Sequence, residues 1–308
     1  MPFVPVIPPQ PVPVYSGFDY VTVDAQRRRV YAAHTGSRAL LVVDADSGKV
    51  VGQVRVGPLH GIAVDPATGH VYTGDGEART VSEVDPVAMK VVGSADVDGI
   101  VDAVAYDPGN GHIYADEDDG TRIFVVDAHT MKSVGTVALP GHKPEYLAVD
   151  PQTHDVYQNI ATDNAFVVVD GTTLTVKRTV PTPELKANHP LQYDAVLHHV
   201  LVGGANGVLS VYDRSGTLLH SVQMQSGVDQ CSLDETSHTL ACAGSGEVAL
   251  IRDDAHTAPV VVARAPVPSG VHTVGVDSKT GNVWVVWGSR DPAAPGDFVQ
   301  AFALKPSP

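Results

Sequence analysis

A frame of about 42 residues recurs seven times along this chain, and a repeat of that length limits the folds open to it. Each copy begins with an apolar run that ends in an aspartate, and consecutive aspartates lie 40 to 44 residues apart. These landmark aspartates are Asp24, Asp65, Asp107, Asp150, Asp194, Asp234 and Asp277. A second aspartate follows in the first six copies, at Asp44, Asp85, Asp127, Asp170, Asp213 and Asp253, and the seventh copy lacks it.

Each copy contains four short segments of alternating hydrophobicity, separated by turns of the Asp-Pro-x-x-Gly and Asp-x-x-Ser-Gly kinds. Segments of roughly five to seven residues have the usual length of a β-strand. Helical periodicity is absent. Four antiparallel strands per repeat of this length predict an all-β, seven-bladed β-propeller. We expect a single domain over residues 1–308, with blades that begin near residues 19, 60, 102, 145, 189, 229 and 272.

The two ends of the chain complement each other. The last repeat supplies strands near 272–277, 282–287 and 297–303 and then lacks a fourth strand, whereas Val4–Ile7 precedes the first repeat. We therefore predict that this N-terminal segment completes the seventh blade and closes the ring, which removes exposed strand edges. Its prolines suit an outermost strand.

The repeats also resemble a known family. The segments DPATGHVYTG, DPGNGHIYAD and DADSGKVVGQVRVG are similar to the repeats of the YVTN-repeat, YncE-like β-propellers, and the likeness covers nearly the whole chain. It implies the seven-bladed fold and an exported, periplasmic or secreted protein, although the N-terminal residues do not read as a signal peptide. Related seven-bladed folds include lactonases and the propeller domains of nitrous-oxide and haem-d1 nitrite reductases.

Charge and hydropathy exclude some classes of partner. The chain has 35 acidic and 20 basic residues, a formal charge of −15, which disfavours binding to nucleic acid. No apolar run approaches the length of a transmembrane helix, so we expect no membrane insertion. The charge is compatible with a metal ion or a cationic ligand. We expect a monomer whose partner is a small molecule.

One ionisable residue per blade is predicted at the mouth of the central channel. The innermost strands of a propeller run along this channel, and counting back five residues from each landmark aspartate reaches the start of each such strand. These ring residues are Asp19, His60, Asp102, Glu145, His189, Asp229 and His272, all of them acids or imidazoles.

Four carboxylates at one narrow mouth need compensating positive charge. Protonated imidazoles provide it in one interpretation. In the other, His60, His189, His272 and Glu145 bind a divalent or transition metal ion, with Zn, Mn, Fe, Cu and Ca all open. The remaining ring carboxylates, Asp102, Asp229 and Asp19, and Glu145 itself are then the candidate catalytic residues. A hydrated polar channel lining is the structural alternative.

A second group is predicted to bind substrate above the ring. His34, Asp75 and Glu117 end the second strands of blades 1 to 3 and open towards the same face. Lys143 and Tyr146 flank Glu145, where an amine could hold a substrate carboxylate and a phenol could donate a proton. Solvated loop residues are the alternative interpretation of this group.

The sequence leaves the two cysteines and the activity open. Cys231 and Cys242 lie on adjacent strands of one hairpin, either as a disulfide or as two buried thiols. The chain has no serine-nucleophile elbow, phosphate-binding loop, dinucleotide fingerprint or H-E-x-x-H motif. The leading hypothesis is a metal-dependent hydrolase of lactones or esters, or a lyase. The alternatives are a non-catalytic module that binds a ligand, metal or protein, and a purely structural propeller.

Overall fold

Seven four-stranded antiparallel sheets form the structure, a computed structural model that describes residues 3–12, 16–289 and 295–304. In blades 1 to 6 the strands follow chain order from the innermost to the outermost strand. The seventh sheet has the order β26, β27, β28, β1, so the first strand of the chain is its outermost strand. The prediction of a seven-bladed propeller closed by its N-terminal strand is confirmed.

Four consecutive strands of the chain form each blade except the seventh, which combines the last three strands with the first. Blade 1 contains β2 (Val21–Asp24), β3 (Arg29–His34), β4 (Ala39–Asp44) and β5 (Val50–Arg55), and blade 2 contains β6 (Leu59–Val64), β7 (Val71–Asp75), β8 (Thr80–Asp85) and β9 (Lys90–Asp96). Blade 3 contains β10 (Val101–Asp107), β11 (His112–Glu117), β12 (Arg122–Asp127) and β13 (Lys132–Ala138), and blade 4 contains β14 (Pro144–Asp150), β15 (Asp155–Ile160), β16 (Ala165–Asp170) and β17 (Thr175–Pro181). Blade 5 contains β18 (Asn188–Asp194), β19 (His199–Gly204), β20 (Val208–Asp213) and β21 (Leu218–Gln223), and blade 6 contains β22 (Val228–Asp234), β23 (Thr239–Gly244), β24 (Glu247–Arg252) and β25 (Val260–Pro266). Blade 7 contains β26 (Val274–Asp277), β27 (Asn282–Ser289), β28 (Gly296–Leu304) and β1 (Phe3–Val12), and two short 3-10 turns lie at Thr35–Ser37 and Ala161–Asp163.

Burial differs between the inner and outer strands of each blade. The second and third strands are buried on both faces, as in β3 and β4, because each sheet packs against its neighbours in the ring. The outermost strands alternate or are largely exposed, as in β9 and β13. The described part of the chain contains no helix that is both long and apolar enough to cross a lipid bilayer.

The landmark aspartates hold the turns at the face opposite the mouth. Asp107 Oδ1, for example, accepts the backbone N–H of Gly109 at 2.8 Å, and Asp194 Oδ1 accepts that of Val196 at 2.9 Å. This turn geometry explains why an aspartate ends the first strand of every repeat.

The same turns also connect neighbouring blades. The residue four positions after each landmark has a positive φ, and at Arg28, His154 and His238 it forms an ion pair with the landmark aspartate of the preceding blade. Arg28 Nη1 lies 2.7 Å from Asp277 Oδ2, which connects blade 1 to blade 7. His154 Nδ1 lies 2.9 Å from Asp107 Oδ2 in the same way. The repeated aspartate therefore serves both its own turn and the contact with the next blade.

The first and last strands of the chain close the ring by antiparallel pairing. Phe3 pairs with Leu304, Ile7 with Ala301 and Val12 with Asp297. Phe3, Ile7 and Val12 are buried, while the prolines of this strand are exposed. Since proline has no backbone N–H to donate, an outermost strand with one unpaired edge tolerates it.

A buried cluster reinforces the junction of blades 7 and 1. The Asp297 carboxylate, at the start of β28, accepts the backbone N–H of Ser16 at 2.8 Å and that of Gly17 at 3.2 Å. Its Oδ2 also lies 2.5 Å from Nε2 of His34 in blade 1, and both side chains are fully buried. We call Ser16, Gly17, His34 and Asp297 the seam clasp.

The two cysteines form a disulfide within blade 6. Cys231 in β22 is paired directly with Cys242 in β23, and the two residues are bridged and buried. Of the two alternatives that the sequence left open, the structure therefore contains the disulfide.

We predict that replacing both cysteines by alanine lowers the free energy of unfolding by about 2–4 kcal/mol, because the bridge restricts the unfolded chain. Urea denaturation of the wild type and the double variant measures this difference. Two titratable thiols in unfolded, unreduced wild-type protein would contradict the presence of the bridge.

The seam clasp gives a second stability prediction. Asp297→Ala leaves His34 and two backbone N–H groups without their buried acceptor, so we expect a loss of about 3–5 kcal/mol. Asp96 is exposed at the end of β9, and its side chain has no hydrogen bond or ion pair among the described residues, so it offers a matched control for which Asp96→Ala should change stability by less than about 0.5 kcal/mol. Equal urea midpoints for the two variants would show that the clasp does not stabilise the closed ring.

Candidate functional site

Six of the seven ring residues line one cavity at the mouth of the channel. Its volume is about 280 Å³, and we call it the mouth cavity. In blades 2 to 6 the ring residue is the second residue of the innermost strand, so the strand start fixes its position. The lining residues are Asp19, Tyr20, His60, Asp102, Asp118, Glu145, His189, Asp229 and Gln230.

One side of the cavity brings an imidazole and two carboxylates together. His60 Nδ1 lies 2.5 Å from Asp19 Oδ2 and 3.9 Å from Asp102 Oδ1. One ligand atom from each of these three residues lies within 4.8 Å of the others, and no other group in residues 3–12, 16–289 and 295–304 meets that criterion. An imidazole nitrogen with two carboxylate oxygens is a suitable donor set for a divalent cation.

Asp102 and His60 on this side have raised pKa values. Burial and the charges of Asp19 and Glu145 raise the pKa of Asp102 to about 8. The hydrogen bond to Asp19 raises the pKa of His60, and burial only partly opposes it. Protons on these two groups therefore compensate part of the negative charge of the cavity near neutral pH.

A buried carboxyl group lies behind Asp102. Asp116 is fully buried, accepts the Ala103 backbone N–H at 2.6 Å and accepts Gln158 Nε2 at 2.9 Å. Burial and the charge of Asp102 raise the pKa of Asp116 well above its ordinary value.

The other side of the cavity holds an imidazole between two carboxylates. His189 Nε2 lies 3.0 Å from Glu145 Oε2 and 3.0 Å from Asp229 Oδ1. Its Nδ1 donates to the backbone carbonyl of Asp229 at 2.7 Å. Because both nitrogens face acceptors, the ring is an imidazolium. Burial alone would lower the pKa of His189, but Glu145 and Asp229 outweigh it and raise the pKa to about 9.

Two tyrosines meet across the axis next to the cavity. Tyr20, from blade 1, lines the cavity, and its ring centroid lies 5.7 Å from that of Tyr146, from blade 4. Tyr146 has a φ of 56° at a bulge in β14, directly after Glu145. The predicted substrate-binding phenol of Tyr146 thus lies against Tyr20, where the two rings narrow the channel.

Lys143 lies at the rim of the cavity. Its Nζ is 3.4 Å from Glu145 Oε1 and 4.0 Å from Asp119 Oδ1, and its side chain is about half exposed. The charge of Glu145 raises the pKa of Lys143. Glu145 is therefore flanked by two cations, Lys143 and His189.

The other predicted substrate-binding residues are not brought together. His34 is fully buried in the seam clasp and stacks on Phe18. Asp75 is buried and accepts the backbone N–H groups of Glu77 and Ala78 in its own turn. Glu117 forms an ion pair with Arg122 and accepts the Thr121 backbone N–H. Each of these side chains forms its hydrogen bonds or ion pair in a different part of the fold. The three therefore do not form one wall of a pocket.

His272 is the ring residue that does not line the mouth cavity. The innermost strand of blade 7 begins only at Val274, two residues after His272. The His272 ring donates from Nδ1 to the backbone carbonyl of Gly270 at 3.0 Å, and the side chain lines a separate cavity. The predicted ligand set of His60, His189, His272 and Glu145 is therefore not assembled at one point, and Asp19 and Asp102 lie beside His60 instead.

Besides Tyr20, two cavity residues, Asp118 and Gln230, lie outside the ring that was predicted from the sequence. Asp118 belongs to the acidic loop ADEDDG of blade 3, and that acidic run was the available signal. Gln230 follows the ring residue Asp229, with its Nε2 3.5 Å from Asp19 Oδ1 and its Oε1 accepting Thr273 Oγ1 at 2.5 Å. Counting one residue per blade could not reveal either of them.

Comparison with solved structures shows the fold alone. A chain of Kuenenia stuttgartiensis hydrazine synthase matches with a TM-score of 0.77 and 15% identity, over 90% of this chain and 95% of that one. The β-propeller domain of Cps50 (Swd1) from Myceliophteria thermophila matches with 0.77 and 10%, over 97% and 100%. A chain of the mitotic checkpoint complex matches with 0.82 and 12%, over 98% and 92%.

No protein-family model matches this chain, and no curated protein matches it in sequence. The likeness to YVTN-repeat propellers therefore stays a resemblance in the repeat segments. The propeller fold is shared by an enzyme, hydrazine synthase, by Cps50 (Swd1) and by a chain of the mitotic checkpoint complex, so the fold does not select an activity.

The imidazolium of His189 gives a prediction on pH. The pKa of His189 is about 9 in the folded protein and about 6.5 in the unfolded chain. The contribution of His189 to the stability of the folded protein is therefore complete below about pH 6.5 and is lost as pH rises through about 9. We expect Glu145→Gln to lower the pKa of His189 by at least about one pH unit. NMR titration of the histidine ring measures this change, with the exposed His256 as internal reference. An unchanged His189 titration in the variant would contradict the assigned ion pair.

Proposed function

We propose that this protein is a metal-dependent hydrolase of small lactones or esters, or a lyase, that binds a divalent cation in the mouth cavity. The observation that carries the proposal is the convergence of Asp19, His60 and Asp102, with one ligand atom from each within 4.8 Å of the others. These residues replace the three-histidine set expected from the sequence. A nitrogen and two carboxylate oxygens fit Zn or Mn, and they leave coordination positions for water or substrate.

The rest of the cavity supplies groups for acid–base chemistry. When bound, the cation acts as a Lewis acid on a carbonyl oxygen and makes water more acidic. The His189 imidazolium holds a proton at Nε2 that it can donate to a leaving oxygen. Asp229, whose pKa burial raises, can accept a proton as the general base. Lys143 at the rim can orient an anionic part of the substrate.

A non-catalytic binding protein is the second candidate function. The ring charges already pair with one another, at His60 with Asp19 and at His189 with Glu145 and Asp229. Such mutual compensation favours a cavity that is stable without a reaction to perform. The same fold occurs in a chain of the mitotic checkpoint complex and in Cps50 (Swd1), whose names describe no enzyme, so the fold is compatible with a binding function.

Location and assembly belong to the same proposal. A buried disulfide is typical of proteins in an oxidising compartment, which supports a periplasmic or secreted location. We propose a monomer whose ligand is a small molecule, because a net charge of −15 repels like-charged copies and nucleic acid.

Metal binding is tested by titrating chelator-treated, untagged protein with Zn²⁺ or Mn²⁺ in a calorimeter. We expect His60→Ala to weaken binding by about tenfold or more, since even the loss of residues around metal ligands has effects of that size. The exposed His256 provides the matched control, and His256→Ala should bind as the wild type does. Equal affinities in the two variants would contradict the assigned site.

The raised pKa values of Asp102 and His60 should make the affinity for the cation depend on pH. Cation binding must displace the protons of Asp102 and His60, so the affinity should rise as pH increases through about 8. Calorimetry in buffers of different ionisation enthalpy measures the protons released. A pH-independent affinity between pH 6 and 9 would contradict ligation by these two groups.

Activity is tested with a panel of lactones and esters, with and without chelator. Chelator-sensitive hydrolysis that His60→Ala abolishes would support the enzyme. Metal binding without turnover of any substrate, or ligand binding that is insensitive to chelator, would favour the non-catalytic function.

A further inference from the structure

A second cavity lies at the junction of blades 7 and 1, beside the mouth. Its volume is about 430 Å³, within the range of small-molecule sites. We call it the seam pocket. Its lining residues are Ser16, Gly17, Phe18, Ser269, Gly270, His272, Trp287 and Gly288.

Two aromatic rings of the seam pocket are held firmly in place. Phe18 stacks on the buried His34, with ring centroids 4.6 Å apart, and Trp287 stacks on Phe298 at 5.3 Å. Phe18 and Trp287 are 8% and 6% exposed, so each presents only a small part of its surface to the cavity that it lines. Fixed aromatic surfaces of this kind favour the binding of a flat, apolar group.

Glycines keep the pocket open. A Cβ atom at Gly17 would meet no atom within 4 Å, and one at Gly270 would meet only the Gly288 carbonyl, at 3.6 Å. Both residues have positive φ, 82° and 100°, which other residues rarely adopt. The backbone conformation therefore excludes the side chains that would otherwise fill this space.

His272 supplies a hydrogen-bond acceptor at the pocket. Its Nδ1 donates to the Gly270 carbonyl, so when the ring is neutral the lone pair is on Nε2. Within the described residues, Nε2 has no hydrogen-bond partner. The imidazole is partly exposed and lines the cavity, so a donor on a ligand can reach it.

The seam pocket is adjacent to the mouth cavity along two segments of the chain. Phe18 lines the seam pocket and the next residue, Asp19, lines the mouth cavity. On the other side, the backbone N–H of Gln230 donates to the carbonyl of His272 at 3.2 Å, which places Asp229 next to His272. Asp229 binds His189 through Oδ1. No hydrogen bond to its Oδ2 occurs among the described residues.

We propose that the seam pocket and Asp229 together bind an arylalkylammonium group, with the arene between Phe18 and Trp287 and the ammonium between His272 and Asp229. The inference rests on the proposed function only in placing the other end of such a ligand in the mouth cavity. An ammonium donates to both the His272 nitrogen and the Asp229 carboxylate. An aromatic carboxylate meets repulsion there from Asp229 and from a net charge of −15.

The test uses three probes that share one arene and differ in charge. Chelator-treated protein is titrated with 2-phenylethylamine, 2-phenylethanol and 3-phenylpropanoate by calorimetry, so a failure of metal binding cannot affect the result. We expect the amine to bind at least about tenfold more tightly than the alcohol, and the acid to bind most weakly, as for a charge-assisted contact. Equal binding of the three probes, or binding of none, would overturn the proposal.

Two variants assign the two parts of the site. Asp229→Asn should weaken binding of the amine by about tenfold and leave binding of the alcohol unchanged, since it removes charge and keeps shape. Trp287→Leu should weaken both probes. Asp254→Asn, at an exposed turn of the same blade, is the matched control.

Fluorescence gives an independent readout. The chain has two tryptophans, and Trp284 is fully buried, so quenching by the amine should be lost in Trp287→Leu and retained in Trp284→Phe. Loss of amine binding in Asp254→Asn, or unchanged amine binding in Asp229→Asn, would overturn the assignment to Asp229.

Discussion

Closure of the ring by strands from opposite ends of the chain is the constraint on which the rest of this structure depends. Apart from side-chain contacts across the axis, such as that of Tyr20 with Tyr146, each blade packs on its neighbours. The pairing of β1 with β28 and the buried clasp around Asp297 complete the seventh blade and join it to the first. Only a closed ring brings Asp19, from blade 1, next to Gln230, from blade 6, at the mouth.

Electrostatics then divides the mouth into two halves with different chemistry. In one half, raised pKa values of Asp102 and His60 store protons that a cation can displace. In the other half, His189 is held as an imidazolium by two carboxylates and is not available as a neutral ligand. The ring residues thus provide a potential ligand set on one side of the mouth and a fixed positive charge on the other.

The sequence predicted those parts of the structure that local chemistry determines. Alternating hydrophobicity and aspartate turns are local signals, and seven copies of them determine the strands, the blade count and the incomplete last blade. Counting back from the landmark aspartates also selected six residues that line one cavity, because β6, β10, β14, β18 and β22 begin at equivalent positions. His272 does not line the cavity although β26 starts no later than β2, beside which Asp19 does line it; its ring instead hydrogen-bonds to the Gly270 carbonyl, a contact that the repeat pattern cannot predict.

The repeat pattern could not predict which partner each individual side chain contacts. His34 occupies the same repeat position as Asp75 and Glu117, yet it is buried against Asp297, which is 263 residues away in the sequence. That contact exists only after the ring closes, so no local pattern encodes it. The disulfide could be resolved only by the register of β22 and β23, which decides whether Cys231 and Cys242 face each other.

The register of the closing strands also bears on how the chain could be rearranged. Phe3 pairs with Leu304, so the start of β1 and the end of β28 are neighbours in space. A short linker could join them, and the polypeptide could then be opened at an exposed turn of another blade. In such a circular permutant β1 and β28 would form a covalently connected hairpin, and the entropy of bringing distant chain ends together would be moved to a different blade. The location of the closing pair is therefore a property of this chain's connectivity, whereas the ring geometry belongs to the repeat itself.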